Sequence, residues 1–290
     1  MVSISAAEVA ARPSAPTPVG TTSSSYDAVV VGGGPAGAAA AARLARRGHR
    51  VLVLESERFP RFHIGESLLP LGDEVFRELG CAERIAAAGF VQKFGAQLTT
   101  ACGTHRVLFD FSSSPRIDPP WTFQVPRAQF DQLMLEHARH EGAEIAQGRA
   151  RDYRADAERV RVTFRGADGG DRSVDAKVLI DASGRSGFVA RREGVRLPDP
   201  ELNKASVYAH FRGVPVDAGV RAGDTRIVAL QKLGWAWFIP LPDGVVSVGV
   251  VLDAADYRAR AKGDPGELFA AAIAAAPAAA QLMANAQRCS

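Results

Sequence analysis

The stretch Asp27-Ala28-Val29-Val30-Val31-Gly32-Gly33-Gly34-Pro35-Ala36-Gly37 joins a short β-branched run to three glycines and then to a segment rich in alanine, Ala36 through Arg47. A run of this kind, punctuated by glycine and followed by good helix formers, reads as strand, tight turn and helix. Gly48 ends the helix, and Arg50-Val51-Leu52-Val53-Leu54-Glu55 reads as a second buried strand finishing on an acid. Two strands joined by a crossover helix within about 30 residues make a βαβ unit, and the crossover makes them pair in parallel. The chain is therefore expected to be α/β, with a Rossmann-like domain at its start.

The glycines stand at the first, third and sixth places of a dinucleotide fingerprint. Gly32 permits the tight turn, Gly34 lets the backbone approach a pyrophosphate, and Gly37 lets helix pack on strand. Pro35 and Ala36 open the helix, whose oriented amides carry partial positive charge toward an anion. Glu55 is placed to accept hydrogen bonds from ribose hydroxyls, which favours an unphosphorylated adenosine ribose, FAD or NAD over NADP. The fingerprint does not choose between those two.

Working outward, Glu57–Pro70 is irregular, and a helical stretch follows with Leu71, Val75, Phe76 and Leu79 as its apolar positions. Phe94–Thr100 and Arg106–Phe111 read as strands outside the nucleotide core. Pro126–Glu141 returns to helical spacing, with Phe130, Leu133, Met134 and His137 on one face and Gly142 as the stop. Asp156–Arg165 and Arg172–Asp181 read as strands joined by the turn Ala167-Asp168-Gly169-Gly170. Ser206–Leu252 alternates strand-like runs with turns such as Pro242-Asp243-Gly244, as an antiparallel sheet does. The expected division is a disordered leader over 1–24, an FAD-binding region with inserted segments over 25–200, and a β-sheet substrate region with the first of the C-terminal helices over 201–290.

Composition narrows the function classes. The formal charge of +3 is scattered rather than gathered into a basic run, so small molecules are expected as partners rather than nucleic acid. Cys81, Cys102 and Cys289 lie far apart, with no spacing that grips a metal or frames disulfides, which fits a reducing cytoplasm. The leader lacks a signal peptide's pattern, and Pro277 breaks the alanine run Ala270–Ala280 short of the ~20 residues a membrane span needs.

Four further segments carry a resemblance. Phe59-Pro60-Arg61-Phe62-His63-Ile64-Gly65-Glu66-Ser67-Leu68-Leu69-Pro70 is similar to a loop of the flavin-dependent halogenases, particularly the branch acting on phenols and pyrroles, and of their hydroxylase relatives. Phe123-Gln124-Val125-Pro126-Arg127-Ala128-Gln129-Phe130-Asp131 resembles that family's arginine-bearing helix start. Asp181-Ala182-Ser183-Gly184-Arg185-Ser186-Gly187 resembles the second flavin motif of group A flavoprotein hydroxylases. Gly234-Trp235-Ala236-Trp237-Phe238-Ile239-Pro240 looks like the halogenase tryptophan-x-tryptophan-x-isoleucine-proline signature.

What the resemblance implies is FAD as cofactor, with Arg61, Ser67, Arg127, Asp181 and Gly184 among its binding residues beside Gly32, Gly34, Pro35, Ala36, Gly37 and Glu55. It gives Glu66 a place in shaping the region of the electrophile, and Trp235 and Trp237 the part of keeping the aromatic substrate apart from the flavin. From the residues alone, second readings stand beside these: Arg127 as an exposed helix arginine, Asp181 as a turn residue capping the next helix, the tryptophans as core packing. No catalytic part is given to His63. The reaction implied is halogenation of a phenol or pyrrole, free or tethered to a carrier protein, in specialised metabolism, using reduced FAD, dioxygen and a halide ion. No second dinucleotide fingerprint is visible, so a separate reductase is expected to supply the reduced flavin.

Two departures qualify the resemblance. Family members continue to a third FAD motif, a glycine-aspartate-alanine segment that this sequence lacks, so the chain is expected to be C-terminally truncated. Tryptophan halogenases have an essential lysine a few residues beyond the glycine-glutamate pair, where this chain has Asp73 and Glu74; its first lysine after the motif is Lys93. Lys93 is the candidate for the same work, a solvated surface lysine being the other reading. Hydroxylation or reduction on the same scaffold, and a flavoprotein fragment without catalysis, are the rival functions.

Overall fold

The computed structural model describes residues 25–199, 202–230, 234–260 and 264–290, with no side chain for residue 260. The expected leader, 1–24, lies outside the described residues. The chain opens with β1 (Ser25–Val31), α1 (Pro35–Arg46) and β2 (Val51–Glu55). It continues through α2 (Leu71–Leu79), α3 (Ala82–Ala86), β3 (Val91–Lys93), β4 (Gly95–Thr99), β5 (Arg106–Asp110), β6 (Thr122–Gln124) and α4 (Arg127–His140). Next come β7 (Glu144–Ala155), β8 (Val160–Gly166), β9 (Asp171–Asp181) and α5 (Phe188–Arg192). The last part holds β10 (Lys204–Arg212), β11 (Thr225–Ala229), β12 (Trp235–Pro240), β13 (Val246–Asp253), α6 (Ala254–Arg260), α7 (Pro265–Ala274), α8 (Pro277–Leu282) and β14 (Gln287–Arg288).

The described residues form two compact units, one of residues up to Phe59 with Met134–Val195, the other of Pro60–Leu133 with residues from Arg196 on. In the first, β1 lies between β2 and β9, and β2 pairs onward to β7, all in parallel. Both β1 and β2 are buried almost throughout, as strands covered on two faces are. β7 and β9 are long enough to leave this sheet and pair antiparallel with β8, closing the five strands on themselves. The core is Val29, Val31, Leu52 and Leu54 against Val162, Phe164, Val174 and Ala176.

β7 is the element the sequence pattern does not announce. Glu144–Ala155 is mostly polar because only Ala146 and Gly148 are fully buried along it. The strand expected over Asp156–Arg165 accordingly begins at Val160, and Asp156 instead accepts hydrogen bonds from the amides of Glu158 and Arg159 in the turn before it.

The second unit is built on a seven-stranded sheet in the order β14-β10-β13-β12-β11-β4-β5, antiparallel except for the parallel pair β11–β4, with β3 and β6 as a separate ribbon. Segment 60–133 belongs to this unit, where β4 and β5 extend the sheet beyond β11. Side chains alternate across it. Phe211, Val246, Val248, Val250, Ala236, Phe238 and Val228 project from one face onto Ala272, Ile273, Ala276 and Ala279 of α7 and α8. Small alanines let these helices lie close, and burying each large apolar side chain contributes about 1.5–3 kcal/mol. Pro277, expected as a break, starts α8 at its first turn. The opposite face of the sheet is left for other work.

The apolar face expected for α2 is corrected in part. Phe76 and Leu79 are buried with Asp73, but Leu71 and Val75 are 72% and 41% exposed. The buried side is the row Asp73, Phe76 and Leu79 at three-residue spacing, and Leu71 and Val75 fall on the flank beside it. Among the described residues, no helix is long and apolar enough to cross a membrane.

Candidate functional site

In the first unit, the glycine turn has the geometry its letters imply. Gly32 has φ +105°, and a Cβ there would meet the Ala182 carbonyl oxygen at 2.4 Å. At Gly37 a Cβ would lie 1.8 Å from the Gly32 carbonyl oxygen, so strand end and helix touch backbone to backbone. Gly34 is the N-cap of α1, extended and with no side chain capping the helix; Pro35 occupies the first turn and Ala36 is exposed beside it. Uncapped amides in this position are an anion site.

Glu55 is 7% exposed, and its carboxylate accepts from the amides of Gly33 and Glu57, each at 2.7 Å. Each oxygen thereby keeps a lone pair for a further donor. Asp181 is taken up by the turn it starts, accepting from the Ser183 amide and hydroxyl and from the Val189 amide at the start of α5. Burial pushes this carboxyl up, but the hydrogen bonds from Ser183 and Val189 outweigh it and hold it below the ordinary range. Gly184 follows with φ +61°, a conformation that suits glycine.

In the second unit, the helix-free face of the sheet carries rows of ring-bearing and polar side chains. One row runs Tyr208, Gly249, Trp237, Ile227 across β10, β13, β12 and β11. A Cβ on Gly249 would lie 2.2 Å from the Trp237 ring, so the indole lies flat over that glycine, with Nε1 donating to Ser247 Oγ at 3.3 Å. Tyr208 flanks the indole at 6.1 Å between centroids, and Phe62 stacks on Tyr208 at 5.8 Å. Trp235 and Trp237 share this face, while Ala236 and Phe238 between and after them are buried on the other. Gly249→Ala is expected to lift the indole of Trp237 and red-shift the fluorescence of a protein with three tryptophans; an unchanged spectrum and melting temperature would show that the indole is not pinned there.

The segment Gly65–Leu68 crosses the same face. It pairs with β6 through Val125 N to Glu66 O at 2.7 Å and Leu68 N to Phe123 O at 3.0 Å. Glu66 is 1% exposed, with Oε1 3.0 Å from His210 Nε2 of β10 and Oε2 buried with no hydrogen-bond partner among the described residues. Ser67 Oγ is 2.9 Å from Thr225 Oγ1 of β11 and 2.9 Å from Lys93 Nζ. Lys93 is 3% exposed, and its Nζ also donates to the Leu68 carbonyl at 3.0 Å. The solvated reading of this lysine is therefore overturned: the ribbon β3–β6 carries it inward.

Burial holds Lys93 down at about 8, against the pull of Asp224. An unfolded chain keeps this proton up to the ordinary 10.5, so between the two values the unfolded state binds more protons and stability rises with pH. Relative to Lys93→Met, the wild type is expected to gain in urea midpoint from about pH 7 to about pH 10; a constant difference would refute the shift.

Arg127 holds Asp131 through two bonds, Nε to Oδ1 at 2.7 Å and Nη2 to Oδ2 at 2.9 Å, and donates Nη1 to the Ile64 carbonyl at 2.8 Å. Arg61 reaches the same fully buried Asp131 at 3.1 Å. Both guanidinium groups meet on one buried carboxylate and tie α4 to the Arg61–Gly65 loop. The exposed-arginine reading of Arg127 thus does not hold.

These features fit a flavin dinucleotide, the amide-lined turn and buried acid suiting its pyrophosphate and ribose. Residues 25–255 match the model of the FAD binding domain. The chain belongs to that family. FAD is its cofactor. The chain is 32% identical to a 1H-pyrrole-2-carbonyl-[peptidyl-carrier protein] brominase of Pseudoalteromonas luteoviolacea, over 79% of this chain and 55% of that protein. It is 35% identical to the corresponding chlorinase of Pseudomonas fluorescens, over 80% and 57%. Among solved structures, the myxobacterial chondrochloren halogenase, an FAD-dependent halogenase, superposes with a TM-score of 0.85 at 32% identity, over 91% of this chain and 61% of that one. The chain spans a little over half the length of the curated relatives it matches.

Sequence reasoning missed His210, Tyr208, Thr225 and the part of Gln124. Alternation along β10 and β11 puts the first three on one face, a signal that becomes legible only once the strands are paired.

Proposed function

We propose that this protein is a flavin-dependent halogenase that uses reduced FAD, dioxygen and chloride or bromide to halogenate an electron-rich aromatic ring, a phenol or a pyrrole, in specialised metabolism. The observation that carries the reading is Lys93 Nζ, buried and held on Ser67 beside a sheet face bearing Tyr208, Trp235 and Trp237. When bound, reduced FAD supplies the electrons with which dioxygen brings a halide to the oxidation level of a hypohalous acid.

The rest falls to the chain's own residues. The amides opened by Gly32, Gly34, Pro35, Ala36 and Gly37 receive the pyrophosphate, and Glu55 the ribose hydroxyls. Arg61, Ser67 and Arg127 in one unit, and Asp181 and Gly184 in the other, are the remaining FAD residues we assign, Arg127 acting by holding the Ile64–Gly65 turn. Lys93 Nζ orients the electrophilic halogen. Glu66 shapes its surroundings with His210, and Trp235 and Trp237 wall off the flavin from the ring to be halogenated. The relatives named for pyrrole on a carrier protein support a carrier-tethered substrate. A separate flavin reductase is the electron source, and the cytoplasm the compartment that suits three cysteines that form no disulfide among the described residues.

The test is to supply the protein with FAD, a flavin reductase, bromide or chloride, and a phenol or a pyrrole, free and carrier-bound. Halogenated product that depends on halide is expected; hydroxylated product formed equally without halide would reject the reading in favour of a monooxygenase.

A further inference from the structure

β5 ends the seven-stranded sheet, and among the described residues it pairs with β4 alone. Its middle is apolar and uncovered. Val107, Leu108 and Phe109 are 53%, 46% and 55% exposed, and Leu98, beside Val107 on β4, is 40% exposed. Val107 and Phe109 lie on the face that carries Trp237, through the row Trp237, Ile227, Leu98 and Val107, and Leu108 lies on the other. A strand at a sheet edge presents unpaired N–H and C=O groups, and proteins usually blunt such an edge with proline, lysine or a bulge. β5 has none of these.

Backbone direction fixes which groups are on offer. At the two ends of the β4–β5 pair, Thr100 N donates to the His105 carbonyl and Phe111 N to the Phe94 carbonyl, each at 3.0 Å. Hydrogen-bonded pairs alternate along an antiparallel ladder, so Val107 and Phe109 turn their amides and carbonyls to β4, while Arg106, Leu108 and Asp110 turn theirs outward. Of these outward groups, the Asp110 carbonyl also accepts from Ser113 Oγ at 2.6 Å.

The strand is complementary to itself. Laid antiparallel on a second copy with Leu108 opposite Leu108, Arg106-Val107-Leu108-Phe109-Asp110 sets each arginine against the other copy's Asp110 and each Val107 against the other's Phe109. Leu108 then meets Leu108, and Arg106 meets Asp110, all with their backbone groups turned toward one another. A slide of two residues either way keeps that backbone match but sets a charged side chain against Leu108. Arg106 and Asp110 have partners within the chain, Asp217 for the one, Arg221 and Ser112 for the other. A guanidinium carries five donors and a carboxylate about four lone pairs, so each has room for a second partner. We propose that two copies of this chain pair antiparallel through β5 about a two-fold axis at Leu108, joining their seven-stranded sheets edge to edge. A contact that uses the same patch on both copies closes at two. It extends the face that carries Trp237 from one copy into the other.

Sedimentation of the protein over a dilution series is expected to show a reversible dimer. Leu108→Lys sets two ammonium groups face to face at the axis and is expected to raise the dissociation constant at least about tenfold. Leu108 lies outside the buried core, so the change falls on the edge alone. Leu108→Pro removes an outward amide without costing β5 a bond to β4, and is expected to act likewise. Hydrogen exchange reads the register: on dilution the amides of Arg106 and Leu108 are expected to lose protection, while those of Val107 and Phe109, bound to β4, keep theirs. A protein that stays monomeric at about 100 µM overturns the proposal, whatever other segment or partner then covers β5. So does a dimer that Leu108→Lys leaves intact, or one whose dissociation leaves the Leu108 amide unchanged. No flavin, halide or substrate enters these measurements, so their failure and that of the halogenase reading are told apart.

Discussion

Gly37→Ala is expected to cost the protein both its FAD and a large part of its stability. The added methyl would sit 1.8 Å from the Gly32 carbonyl oxygen and 3.2 Å from the Ala182 Cβ. Neither neighbour is the loose end of a flexible side chain. Relief requires α1 to move off the turn, and with it the uncapped amides that we assign to the pyrophosphate. Overpacking of this kind costs about 3 kcal/mol or more where backbone must give way. Thermal melting and a flavin titration by fluorescence check it. A variant that melts with the wild type and binds FAD as tightly would show that the helix does not need this approach. Gly48→Ala is the control for helix composition: its Cβ would meet nothing within 4 Å, though φ +83° leaves some strain.

Lys93→Met is expected to lower halogenation by at least about a hundredfold, with a much smaller effect on FAD binding. Methionine fills nearly the same space, and of the residues assigned to FAD the side chain it replaces hydrogen-bonds Ser67. Product formation with saturating reduced FAD and halide measures the loss, and a flavin titration measures the binding. Undiminished turnover in Lys93→Met would remove Lys93 from the chemistry and leave its burial a matter of structure alone. An effect on FAD affinity of the same size as that on product would assign it to the cofactor instead.

The nucleotide half of the molecule was legible residue by residue. Turn, helix and acid at Gly32–Gly37 and Glu55 are local: a glycine forced to positive φ, a proline at a helix start and an acid ending a strand each act within a few residues of themselves. The same holds for the alternation along β12 that puts Trp235 and Trp237 together. β7 escaped because its pairing partners, not its own apolar content, make it a strand. Leu71 and Val75 misled because helical spacing says which residues share a face and not whether anything covers it.

Local order, then, is written in the chain: where most strands and helices run, which glycine turn opens amides at a helix start, and which tryptophans face the same way. The charge environment of Lys93 is not. Burial and Asp224 set it, and the polar groups gathered at Nζ, Ser67 and through it Thr225 and Gln124, lie from 26 to 158 positions apart along the pairs that connect them and meet only when β6, β11 and the Gly65–Leu68 segment are brought together. Hydrogen-bond direction and desolvation are properties of atoms in space, acting over about 3 Å whatever the separation along the chain.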